Sequence, residues 1–210
     1  MMRGMDVLAL AKSAFALFAI VDPVGVIPIF LLATRGYKLA QSRTAARLAA
    51  FTVFGVLMLF TFAGQIILDF FGIRLAAFSV AGGLLLLLLA LSMVQAHVSP
   101  QRQTQEEAME AEEKDAVGVV PLGGPGAITH MIVAAGAARG EPVQQAALLI
   151  PVALVALSVW LSFRAAPVIE RRLGRTGIHV VTRLMGLIIA AISIEMIANG
   201  LGQLFPGLLA

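Results

Sequence analysis

Six long apolar stretches run along the chain, and short polar segments separate them. Four of the stretches carry no charge, at 48–68, 75–96, 116–138 and 142–163, while 13–34 and 184–209 each contain one acid, Asp22 and Glu195. A helix that crosses a membrane needs about 20 apolar residues, and the alternating pattern of membrane-spanning strands is absent. The chain is therefore predicted to be an all-α polytopic membrane protein with six transmembrane helices.

Two proline-glycine motifs fall near the middle of the first and fourth stretches, Asp22-Pro23-Val24-Gly25 and Gly124-Pro125-Gly126. Proline removes a backbone donor and glycine permits close backbone approach, so we predict that helices 1 and 4 are broken there. Asp22 and Gly124 fit the N-cap position of a new half-helix with proline at its first residue. Pro28 then falls inside this new half-helix and is predicted to kink it or to lengthen the irregular segment.

A polar, glutamate-rich segment at 99–115 divides the six spans into two sets of three. Because three is odd, a duplicated three-helix unit must insert its second copy upside down. We therefore predict two inverted three-helix repeats, 1–97 and 118–210, joined by an acidic connector at 98–117. The inversion would aim both half-helix N-termini at a midplane region, where they favour an anion such as a carboxylate.

The composition supports a membrane protein and sets its orientation. The chain is 60% hydrophobic and 13% charged, and it contains no cysteine. Its basic residues lie in loops, so the lipid bilayer is the expected partner and nucleic acid is not. All Lys and Arg residues except Arg3, Lys12, Arg74 and Arg139 fall on the side of the connector. The positive-inside rule then places both termini outside the cytoplasm.

Several polar residues within the spans are candidates for function, and for each of them a structural role is the alternative interpretation. Asp22 either contributes to a binding site or only caps a helix, and the hydroxyl of Thr129 binds a ligand or its own helix. His130 either relays protons or packs between helices. Glu195, with Asn199 one turn later, is a candidate coupling group or a structural hydrogen-bonding residue.

Other features of the chain limit the choice of function. No G-x-S-x-G, H-E-x-x-H or Walker A motif occurs, so neither an enzyme nor a bound cofactor or metal is expected. Small residues that include Gly55, Gly64, Gly82 and Gly83 are predicted to mark helix contacts. A membrane scaffold or assembly factor with purely structural helix breaks remains the alternative to a transporter.

The residues around both breaks resemble the MarC family of inner-membrane proteins. The resemblance rests on the segment from Phe15 to Phe30, which contains Asp22-Pro-Val-Gly and Pro28, and on segments that follow in the same order. These are Ala77-Phe-Ser-Val-Ala-Gly-Gly, Glu113-Lys-Asp115, Gly124-Pro-Gly-Ala-Ile128 and Arg183-Leu-Met-Gly-Leu. Together they extend over nearly the whole chain.

The resemblance implies a six-span inverted-repeat protein of the bacterial inner membrane, distantly similar to exporters of the LysE type. It also implies transport of neutral amino acids such as glycine or alanine, coupled to Na+ or H+. The family signatures fall on Asp22, Pro23, Gly25 and Pro28, and on Gly124, Pro125 and Gly126. With Thr129 added, these residues form the expected substrate site. The expected coupling residues are Asp22, Glu195 and Asn199. A homo-oligomer is an expected assembly.

Overall fold

The computed structural model describes residues 7–95, 124–138 and 141–208, and every regular element within these ranges is helical. In chain order the α-helices are α1 (Val7–Val21), α2 (Ile27–Ala33), α3 (Leu39–Phe70), α4 (Leu75–Gln95), α5 (Pro125–Ala137), α6 (Pro142–Ala147), α7 (Leu149–Arg164) and α8 (Ala166–Leu204). A short 3-10 helix follows at Pro206–Leu208.

Four helical segments are long and apolar enough to cross a membrane, namely Leu39–Phe70, Leu75–Gln95, Val143–Arg164 and Thr176–Leu204. The third joins α6 to α7, and the fourth follows a bend in α8 at Gly174, whose φ of 63° favours glycine. The other two predicted stretches contain α1 with α2, and α5. The prediction of an all-α polytopic membrane protein is confirmed at this level. The connector 98–117 and the start of the fourth stretch lie outside the described residues.

Helices α4 and α8 form the most extensive helix pair and run antiparallel. Ser79 near the start of α4 donates a hydrogen bond to the Met196 carbonyl, 3.1 Å away. Leu86 and Ile189, in the middle of the two helices, are completely buried. Helix α3 packs on α5 and α7, α1 packs on α7, and α5 also packs on α4. Helix α5 is therefore largely enclosed by longer helices, whereas α1 packs on one side only and keeps Leu8 and Phe15 exposed.

The sequence predicted helix contacts at four glycines, and three of them do allow two helices to approach closely. A Cβ on Gly64 would meet Ile132, one on Gly82 would meet Thr129, and one on Gly83 would lie 2.9 Å from the Ser193 carbonyl oxygen. The prediction was wrong for Gly55, where nothing lies within 4 Å. Gly55 is on the exposed side of α3, a distinction that residue size alone does not reveal.

Large apolar side chains remain exposed along the outer surface. Phe51, Ile66 and Phe70 of α3 are 72%, 70% and 84% exposed. Water would make such a surface unfavourable, whereas lipid tails solvate it as well as a protein interior does. The exposed apolar surface of α3 is what contact with a bilayer requires.

Candidate functional site

The first break is a tight turn at Asp22 that ends α1. Asp22 has a φ of +43°, in the left-handed region that aspartate adopts more readily than most residues. Its Oδ1 accepts a hydrogen bond from the Gly25 N–H at 3.1 Å. This hydrogen bond from a residue three positions later closes a turn, as aspartate side chains commonly do. The prediction of a broken first helix is confirmed.

The second half of the first span starts later than the sequence indicated. We predicted a half-helix beginning at Pro23, but α2 begins at Ile27, with Val26 in the N-cap position. Pro28 lies in the first turn of α2, where its missing N–H costs no hydrogen bond. Of the two outcomes predicted for Pro28, the structure shows the longer irregular segment and not the kink. The carboxylate of Asp22 stabilises the turn between the helices instead of capping the second one.

The Asp22 turn is buried against α8. Asp22 is 2% exposed, and Thr182 of α8 is 8% exposed. A Cβ on Gly25 would lie 2.5 Å from the Thr182 Oγ1 and would also collide with the Asp22 carboxyl group. Only glycine at position 25 lets the carboxyl group and the hydroxyl approach each other. We call Asp22, Gly25 and Thr182 the break cluster.

Sequence reasoning did not find Thr182. Its signal was weak, because a single threonine near the start of a long span resembles the many that bond to their own helix. Thr34 and Thr61 do so, donating to the carbonyls of Phe30 and Leu57 at 2.8 Å and 2.6 Å. Only the folded chain shows that Thr182 faces the break in α1.

The second proline-glycine motif begins α5 as predicted. Gly124 is the N-cap with extended ψ of 168°, and Pro125 occupies the first turn. Gly126 packs against the other half of the protein. A Cβ added there would lie 3.3 Å from Leu86 Cγ and 3.4 Å from Ile20 Cγ2. Ile20 precedes Asp22 by two residues, so the start of α5 and the end of α1 meet in one region.

Thr129 lies one turn into α5, and its hydroxyl donates to the Pro125 carbonyl at 2.7 Å. Of the two readings of this residue, the structure shows the hydrogen bond to its own helix. Its side chain is 4% exposed and packs on Gly82 of α4. Thr129 therefore fixes the distance between the start of α5 and the centre of α4.

His130 points toward α1 instead of the break. Its Nε2 lies 3.4 Å from Ser13 Oγ, and both side chains are partly buried. Ser13 precedes Asp22 by nine residues of helix, a rise of about 13 Å. The contact joins the two half-length helices α1 and α5 at a distance from the break cluster.

Glu195 and Asn199 do not join the break cluster. Both are exposed on α8, whereas Thr182, Ser193 and Met196 are buried on the packed side of the same helix. The sequence correctly placed Glu195 and Asn199 on one face, but that face is directed outward. Among the described residues, Asp22 is the one acid whose side chain is buried.

Comparison with known proteins places the chain among membrane proteins over nearly its whole length. The UPF0056 membrane protein YhcE of Escherichia coli (strain K12) is 39% identical over 205 residues, covering 94% of each chain. YvbG of Bacillus subtilis (strain 168), with the same description, is 36% identical over 198 residues, or 91% of this chain and 93% of the relative. A UPF0056 membrane protein of Methanocaldococcus jannaschii is 34% identical over 192 residues, or 89% and 92%.

No solved structure gives a significant match. The family described as MarC family integral membrane protein matches residues 7–205, which include both proline-glycine motifs and all four long helices. The resemblance seen in the two proline-glycine motifs is thus confirmed, and the chain belongs to the MarC family of integral membrane proteins.

Proposed function

We propose that this protein is a secondary transporter of small zwitterionic solutes, with neutral amino acids such as glycine or alanine as substrates. One observation carries the proposal. A turn with a buried carboxyl group, at Asp22, interrupts an apolar span. An ionisable group at such a depth is costly, and in membrane proteins it marks substrate or ion pathways.

The break region offers complementary groups for both ends of a zwitterion. The carboxylate of Asp22 would attract an ammonium group, with the hydroxyl of Thr182 beside it. The N-terminus of α5 carries unsatisfied N–H groups and the positive end of the helix dipole, which favour a carboxylate.

Alternating access requires two halves of the protein that move around a fixed site. Helices α4 and α8, one from each proposed half, make reciprocal contacts. A Cβ on Gly83 would meet the Ser193 carbonyl oxygen at 2.9 Å and the Ile197 side chain at 2.7 Å. A Cβ on Gly186 would meet the Ala90 carbonyl oxygen and the Val94 side chain, each at 3.1 Å.

These residues correspond pairwise with one constant displacement along the chain: Gly83 with Gly186, Ala90 with Ser193, and Val94 with Ile197. Exchange of α4 and α8 therefore reproduces the same contacts, as a pseudo-two-fold axis would. This reciprocity supports the proposal of two inverted three-helix repeats. Rocking of one repeat against the other would open the break region to each side in turn.

We assign coupling to Asp22 rather than to Glu195. A coupling group must exchange its ion or proton with the substrate site, and Glu195 is turned away from that site. Asp22 can bind Na+ or gain H+ in the same position. In this proposal the protein lies in the bacterial inner membrane with both termini outside the cytoplasm, as the distribution of basic residues indicates.

A thermal-shift experiment with matched solutes tests the proposal. Purified protein is heated with glycine, with acetate, which has only the carboxylate, and with methylammonium, which has only the cation. Glycine at a hundredfold excess over its dissociation constant should stabilise the fold by about 2.7 kcal/mol. Acetate and methylammonium should stabilise the protein less than glycine, because each of them binds at one end of the site only.

Uptake of labelled glycine and alanine into proteoliposomes, with imposed Na+ or pH gradients, then identifies the coupling ion. If no small solute stabilised the protein and none was taken up under either gradient, the scaffold alternative would replace the transporter.

A further inference from the structure

A short helical segment connects two helices that are long and apolar enough to cross a membrane. It is the first part of α8, residues 166–173, and it lies between Val143–Arg164 and Thr176–Leu204. At a rise of 1.5 Å per residue it is about 12 Å long, and the backbone bends after it at Gly174. Because both flanking spans end beside this segment, it lies at the surface of the bilayer. We call residues 166–173 the interfacial segment.

The exposed side of the interfacial segment carries apolar and basic side chains together. Val168, Arg171 and Arg172 are exposed, and a spacing of three and four residues places them on one face of the helix. Val168 is 53% exposed, and Leu173 beside the arginines is 40% exposed. Ile169 packs on the core from the other side of the helix. Apolar residues beside arginines are typical of a helix that lies among lipid headgroups.

The single tryptophan of the chain lies next to the interfacial segment. Trp160 is one turn before the end of α7, and the guanidinium carbon of Arg164 lies 5.3 Å from the centre of its ring. Tryptophan is enriched where the hydrocarbon of a bilayer meets the headgroups. Arginine can lie along apolar surface with its charged group in the headgroup layer. Arg164 is exposed, so it adds a third cation at this level.

Further basic residues lie at the same end of the protein. The rings of Phe30 and Phe163 stack with their centroids 4.1 Å apart, which joins the end of α2 to the end of α7. The loop after α2 therefore brings Arg35 and Lys38 to this end, where both are exposed. Of the acids that the structure describes, Glu170 is the one in the interfacial segment, and it is partly buried. The described residues thus give this end an excess of positive charge.

We propose that the interfacial segment binds the headgroups of anionic phospholipids, with Arg164, Arg171 and Arg172 as the phosphate-binding residues. Guanidinium groups form paired hydrogen bonds with phosphate oxygens. Val168 and Leu173 would then contact the acyl chains beneath the headgroups. A carboxylate of the protein would also pair with the arginines, but it would leave these two apolar side chains in water. The proposal does not depend on transport, because a scaffold would use the same surface.

Lipid-dependent stability of the full-length protein tests the proposal. Protein in a neutral detergent is titrated with phosphatidylglycerol or with phosphatidylcholine, and thermal unfolding is followed. Phosphatidylglycerol should raise the unfolding temperature more, and 0.5 M salt should reduce the difference by screening. Each basic residue at an anionic surface strengthens binding about fivefold. The double variant Arg171→Gln/Arg172→Gln should therefore need about 25-fold more phosphatidylglycerol for the same shift.

Arg74→Gln is the matched control. It removes an exposed arginine between α3 and α4, at the opposite end of the protein, where the exposed acids Asp69 and Glu141 also lie. This variant should respond to phosphatidylglycerol as the parent does. An equal response of the control and the double variant would overturn the proposal. So would a loss of stability in the double variant that is the same in both lipids, because the arginines would then serve a contact within the protein.

Fluorescence of Trp160 locates the bound lipid, since the chain has no other tryptophan. In proteoliposomes, phosphatidylglycerol with brominated acyl chains should quench Trp160 more than brominated phosphatidylcholine does. The difference should decrease in Arg164→Gln. Equal quenching by the two lipids would contradict a preference for anionic headgroups at this site. Stabilisation of the protein by inorganic phosphate as large as that by phosphatidylglycerol would indicate a site for free anions and would also overturn the proposal.

Discussion

At the scale of single residues, one aspartate determines where the first span is interrupted. Asp22 adopts a positive φ and accepts the Gly25 N–H through Oδ1. Asparagine would support the same local turn with no charge, because its amide oxygen accepts the same bond. The geometry of the turn and the charge of its side chain can therefore be separated by a single substitution.

Asp22→Asn should leave the fold intact and reduce glycine uptake about tenfold or more, because a hydrogen bond to a charged group contributes about 1.5–3 kcal/mol. The control is Thr61→Val, at a buried residue of α3 that bonds only its own helix. Thermal unfolding and proteoliposome uptake are measured for both variants. Asp22→Asn protein that is stable and fully active would show that the carboxylate serves the turn alone.

Gly25→Ala should destabilise the protein by about 1–3 kcal/mol, the usual effect of overpacking. The added methyl group meets the Asp22 carboxyl group and lies 2.5 Å from the Thr182 hydroxyl oxygen. Gly55→Ala is the control: it has open space within 4 Å and should stabilise α3 by up to about 1 kcal/mol. Reversible unfolding in detergent compares the two. Equal stability of the two variants would contradict the packing of the break cluster.

At the scale of helices, glycine contacts hold α4 against α8. Both sides of this pair use the same device, with Gly83 facing the Ser193 carbonyl and Gly186 facing the Ala90 carbonyl. A side chain there would push on backbone atoms, which cannot rotate aside as a flexible side chain can. In a membrane this close packing replaces the hydrophobic driving force that assembles helices in water.

Gly83→Val and Gly186→Val should therefore destabilise the protein to a similar extent, by about 1–3 kcal/mol or more. Their equality is the informative part, because equivalent positions in two related helices should respond alike. Unfolding of both variants in the same detergent measures the difference between them. A large disparity would argue that the reciprocal contacts of α4 and α8 do not reflect two related repeats.

At the scale of the whole molecule, the orientation in the membrane follows from charge rather than packing. The positive-inside rule counts basic residues in short loops, and here most of them lie on the side of the connector. We expect a periplasmic reporter fused after Ala210 to be active and a cytoplasmic reporter there to be silent. A reporter inserted in the connector 98–117 should give the opposite result. Cytoplasmic activity at the C-terminus would reverse the proposed orientation.

The sequence by itself determined the membrane class, the apolar stretches, the break at Asp22 and the start of a helix at Pro125. These features depend on local rules: the length of an apolar run, the missing N–H of proline, and the turn-forming side chain of aspartate. The family followed from the same motifs. Local rules did not determine the first residue of α2: the sequence predicted a start at Pro23, whereas the helix begins at Ile27.

Only the tertiary structure decided which side of each helix faces inward. In water the polar face of a helix identifies its outer side, but in lipid both faces are apolar and hydrophobicity does not distinguish them. Thr182 turns toward the break in α1, while Glu195 on the same helix turns away from it. The place of Thr182 in the proposed site, and the exclusion of Glu195 from it, depend on that rotation, which contacts between distant parts of the chain determine.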